Sequence, residues 1–68
     1  MSDLFDSRRV TLAEQIAAAK REVAQRLRVY PRLVLAGKMT RHKADAETEA
    51  MKAIVAMLEA LHTEEAKR

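Results

Sequence analysis

RVYPRLVLAGKMT, residues 28–40, holds the chain's only proline and its only glycine, six positions apart, beside its only tyrosine. The flanking sequence is rich in helix formers, so two breakers this close together mark the place where the fold is decided. Gly37 reads as a helix stop, because a residue without a Cβ enters the left-handed region without penalty and closes the last turn at C′. Met39 supplies an apolar residue just past that stop, and Thr40 is an N-cap candidate for a second helix. A link this short between two long helices forces them to pack antiparallel as an αα-hairpin.

Upstream of the link, Leu12, Ile16, Ala19, Val23, Leu27, Tyr30 and Val34 recur at spacings of three and four, the signature of one apolar helix face. Arg21, Gln25, Arg28 and Arg32 recur on the opposite face and make a basic ridge. Ser7 or Thr11 can cap this helix, and Glu14 stands three residues after Thr11, as a capping box requires. A helix over about residues 11–36, a turn at 37–40 and a second helix over about 41–63 are therefore expected. Pro31 lies inside the apolar stripe, where its ring excludes the usual hydrogen bond to the Leu27 carbonyl, so a kink or a short break is expected there. Such a bend wraps the helix around its partner, presents Tyr30, Arg32 and Leu33, with Arg28 nearby, as a protein-binding patch, or does both.

The second helix is greasy on more than one side. Ala44, Met51, Ile54, Val55, Leu58 and Leu61 form the stripe that answers the first helix, while Ala46, Ala50, Ala53, Met57 and Ala60 occupy the flank and back. Arg41, Asp45, Glu49, Lys52 and Glu59 crowd into an arc of about 80° at 100° per residue. One facing helix cannot cover the remainder, so Ala46, Ala50, Ala53, Met57 and Ala60 are expected to form a homodimer interface, giving a four-helix assembly.

Composition points the same way. A chain of 68 residues forms one small domain that buries only about 60% of the surface its unfolded form exposes. Cysteine is absent, which removes disulfides and thiolate metal sites, and leaves oligomerisation as the staple. No apolar run is long enough for a membrane span or a signal peptide, so a cytoplasmic protein is expected. The net charge is +3, concentrated between Arg8 and Arg32, where seven bases face two acids. A basic first half suits an acidic protein partner or a nucleic acid.

No catalytic constellation is visible. The chain lacks a Gly-rich phosphate loop, His42 and His62 are isolated with no metal-ligand spacing, and Asp45, Glu47 and Glu49 point to different faces of a helix. No enzyme activity, cofactor or metal is expected. His62 falls in line with Ala44, Met51 and Leu58, at a polar edge of the seam. Arg21, Arg28 and Arg32, with Arg8 and Arg9 before them, could track phosphates. Helices this long do not suit a helix-turn-helix reader of DNA, so nucleic-acid binding is the alternative to protein binding.

The string KREVAQRLRVYPRLVLAGKMTRHKADAETEAMKAI, residues 20–54, resembles a family of small helical proteins encoded by phages and prophages of Gram-negative bacteria. The resemblance rests on VYPR, GKMT and KAD and covers about half of the chain. In that family an aromatic often follows YPR, whereas Leu33 stands here. With the N-terminal stretch included, the chain is similar to anti-quorum-sensing phage proteins. That similarity implies a homodimeric inhibitor made early in infection, which binds a host quorum-sensing transcription activator and the ATPase of type IV pilus assembly in the bacterial cytoplasm.

Overall fold

The computed structural model describes residues 10–67. They form two helices, α1 (Leu12–Leu35) and α2 (Arg41–Ala66), joined by a short link and packed against each other as an antiparallel hairpin. The molecule is one helix layer deep, about 14 Å in its shortest dimension. No helix among the described residues is long and apolar enough to cross a membrane.

Thr11 starts α1 with a complete capping box. Its hydroxyl accepts from the Glu14 N–H at 3.0 Å, and its own N–H donates to Glu14 Oε1 at 2.9 Å, so two donors without helical partners are satisfied reciprocally. These bonds hold the Glu14 carboxyl below its ordinary pKa, the backbone N–H of Thr11 being the larger cause. The alternative cap, Ser7, lies outside the described residues.

At the other end of α1 the chain closes with crossed hydrogen bonds, Gly37 N–H to the Val34 carbonyl at 3.0 Å and Lys38 N–H to the Leu33 carbonyl at 2.9 Å. That crossed pair defines a Schellman motif, and it requires the left-handed φ of +74° found at Gly37. A Cβ built there meets no atom within 4 Å. The demand for glycine is therefore purely conformational. Thr40 caps α2 by accepting from Lys43 N–H at 3.1 Å, and α2 continues to Ala66, three residues past its expected end.

Helix α1 runs unbroken through Pro31, so the expected interruption does not end the helix. The Leu27 carbonyl loses its usual donor, but it does so on an exposed stretch where water can serve.

The seam follows a stricter repeat than the expected stripes. On α1 the covered or half-covered positions include Leu12, Ile16, Ala19, Val23, Arg26, Tyr30 and Leu33, and on α2 Ala44, Thr48, Met51, Val55 and Leu58. Both series alternate steps of four and three, the 3.5-residue period that keeps a seam facing its partner between nearly antiparallel helices. Four expected stripe members fall off it: Val34 stays half-covered one step from Leu33, and the other three are exposed. Leu27 is 54% exposed, Ile54 48% and Leu61 51%, because each sits one step away from the 3.5-residue line. Arg26 and Thr48 take seam positions instead. Among the described residues only Ala19, Ala44 and Thr48 are buried, and no large side chain is fully enclosed. Small residues let the two backbones approach, and the larger side chains seal the groove from its edges.

Candidate protein-binding faces

Three surfaces of the hairpin carry the chemistry available for recognition. The first is a cleft of about 260 Å³ along the seam near the link, lined by Arg26, Leu27, Tyr30, Pro31 and Val34 from α1 and by Arg41, Ala44, Asp45, Thr48, Glu49 and Lys52 from α2. Tyr30 is half-buried here, seven residues after Val23 and therefore on the same helix face. Arg26 organises this end of the seam. Its Nε donates to Glu22 Oε1 at 3.0 Å, its Nη1 donates to the Glu47 carbonyl at 2.8 Å, and the guanidinium carbon lies 5.9 Å from the centre of the Tyr30 ring. The Glu47 carboxylate stands 3.6 Å from the same Nη1. The hydrogen bond to Glu22 raises the Arg26 pKa further above its already high ordinary value, so this cation stays charged at any working pH. Thr48, the buried polar residue of the seam, donates its hydroxyl to the Ala44 carbonyl at 2.8 Å, which satisfies it within its own helix.

The second surface is the outer face of α1. Arg21, Arg28 and Arg32 are all exposed, and at 1.5 Å per residue their backbones span about 16 Å. The expected patch of Arg28, Tyr30, Arg32 and Leu33 is therefore divided. Arg28 and Arg32 stand on this outer ridge, while Tyr30 and Leu33 are half-buried along the seam. The division is a matter of helix geometry, since residues two apart lie about 200° around the axis from each other. Arg8 and Arg9, which would extend the ridge, lie outside the described residues.

The third surface is on α2. Ala46, Ala50, Ala53, Met57 and Ala60 are exposed, Met57 to 67%. Ile54 and Leu61 join them there rather than facing α1. An uninterrupted apolar strip thus runs along α2 beside the seam.

Ion pairs fix the two edges of that seam. Lys20 Nζ meets Glu59 Oε2 at 3.0 Å on one side, and Arg26 meets Glu47 on the other. His62 is exposed beside the Lys20–Glu59 pair, in a shallow groove with Ala13, Ile16 and Thr63. Among the described residues, no group of three or more His, Asp or Glu side chains is placed to hold a metal ion.

Leu33 takes the seam position expected for Val34, and Arg26 and Thr48 are the polar seam residues that the apolar pattern misses. A signal existed for each: Glu22 stands one helical turn before Arg26, and Thr48 completes the four-three series between Ala44 and Met51. No family model, curated protein or solved structure matches the chain.

Proposed function

We propose that this protein is a non-catalytic inhibitor that binds host bacterial proteins stoichiometrically, acting as a homodimer in the bacterial cytoplasm. The observation that carries the reading is the pair of uncovered faces on a hairpin only one layer deep, an arginine ridge on α1 and an apolar strip on α2. An apolar strip suits a constitutive contact, and exposed arginines suit recognition of an acidic surface, since planar guanidinium groups pair with carboxylates in a bidentate fork. The resemblance over residues 20–54 supports the choice of targets: a quorum-sensing transcription activator and the ATPase that drives type IV pilus assembly.

Mixing the purified protein with each purified target, followed by light scattering on the eluted species, tests this. A complex of fixed stoichiometry is expected with at least one target. The double variant Arg28→Glu/Arg32→Glu should weaken it roughly tenfold or more, as loss of charged interface anchors does, with helicity unchanged. If neither target forms a complex at tens of micromolar, the reading fails.

The second reading is a small nucleic-acid-binding factor, and the exposed line of Arg21, Arg28 and Arg32 favours it. Retardation of random duplex at low salt that weakens as salt rises would establish this rival, because the slope of that loss scales with the number of phosphates contacted.

A further inference from the structure

We propose that the dimer forms through α2 packed antiparallel on its own copy, in a register that sets Ala50 against the partner's Leu61 and Ile54 against the partner's Met57. This rests on the homodimer reading above and specifies its geometry.

The exposed positions Ala50, Ile54, Met57 and Leu61 are spaced by four, three and four residues. At about 100° per residue they fall within about 60°. α2 therefore carries two seams of the same 3.5-residue period, and α1 covers only one. A strip of this period fits another helix lying nearly parallel to its axis. The series has a small residue at one end, a large one at the other, and two long ones between. Packed in the same direction, Ala50 would face the partner's Ala50 and leave a gap, while two leucines would crowd the far end. Packed antiparallel about a two-fold axis near residues 55 and 56, every facing pair complements the other in size.

Charge selects the same direction. Lys43 lies one heptad before Ala50, and Glu64 lies one heptad after Met57 with Glu65 beside it, so the strip has a basic end and an end where two acids precede Lys67 and Arg68 in the sequence. Each end opposes its own helix dipole, since α2 has no acid in its first turn and no base in its last. Among the described residues these groups make local pairs, Lys43 with Glu47 at 3.9 Å and Glu64 with Lys67 at 3.9 Å. A parallel partner would stack like on like along the whole strip. An antiparallel one brings Lys43 within reach of the partner's Glu64 and Glu65, twice over by symmetry. Glu47 then approaches the partner's Glu64, a contact that Arg26 and Lys43 partly neutralise.

The chain has no native cysteine, so introduced thiols report the register directly. In the double variant Ala50→Cys/Leu61→Cys, mild oxidation should give a covalent dimer whose peptide map shows a bond between positions 50 and 61. These positions lie about 16 Å apart along one helix, too far to bridge within a chain. Each single variant should remain uncrosslinked. Self-crosslinking of both single variants means parallel packing and overturns the register. A dimeric mass without a 50–61 bond also overturns the register, leaving the homodimer itself standing. A monomeric mass for the unmodified protein overturns both. Charge reversal gives an independent check that retains every apolar contact: Lys43→Glu should weaken the dimer roughly two- to tenfold, and adding Glu64→Lys and Glu65→Lys should restore it. Failure of that rescue contradicts the antiparallel pairing.

Discussion

Arg26 shows how one side chain can join two helices that have almost no enclosed core. Its stem occupies a seam position, and its head reaches Glu22 on its own helix and the Glu47 backbone on the other. With its side chain only 20% exposed, water cannot replace all of these contacts. Arg26→Ala removes both hydrogen bonds and leaves the Glu47 carbonyl without this donor, so it should lower the urea midpoint of unfolding. Urea titration at fixed protein concentration measures this, and an unchanged midpoint would show that Arg26 only decorates the seam. At the same scale, Gly37 must keep its positive φ. Gly37→Val should cost about 1–2 kcal/mol through the backbone alone, since no neighbour obstructs the new side chain. An unchanged melting temperature would contradict the left-handed closure of α1.

At the scale of the helices, the features that depend on local chemistry were legible and those that depend on the choice of period were not. Thr11 with Glu14, Gly37 and Thr40 each act within a few residues of chain, so their roles as caps and stop can be read without knowing what α1 packs against. The hairpin follows from the shortness of the link they bracket. The seam is different. A stripe drawn at 3.6 residues per turn admits Leu27, Ile54 and Leu61, whereas the observed 3.5-residue line passes through Arg26 and Thr48 instead. Hydropathy ranks arginine far below leucine, yet an arginine with a long apolar stem and two acidic neighbours can occupy a seam and still keep its charge paired. The candidate binding patch divided for a related reason. Tyr30 and Arg32 are neighbours along the chain around Pro31, but helix rotation puts them on different faces, and the helix persists through the proline.

For the whole molecule, the decisive quantity is how little one hairpin encloses. With only two alanines and a threonine buried among the described residues, the hairpin of a lone chain has little apolar burial to set against the entropy of ordering it. In the proposed homodimer, association is part of folding, and stability follows mass action. The melting temperature should rise by a few degrees for each tenfold increase in protein concentration. Calorimetry or circular dichroism from micromolar to hundreds of micromolar would show it. A constant value over that range would mean that the hairpin stands by itself.

Tyr30 is the chain's only tyrosine, and there is no tryptophan. It is half-covered at the seam beneath the Arg26 guanidinium, so nature has placed a single intrinsic fluorophore where the two helices meet. Its emission reports separation of α1 from α2, while far-ultraviolet dichroism reports loss of helix. If the two signals change together on heating, helices and hairpin melt as one cooperative unit. If the phenol emission changes first, the helices part before they unwind, and an opened hairpin is a state the protein can visit on its way to a partner.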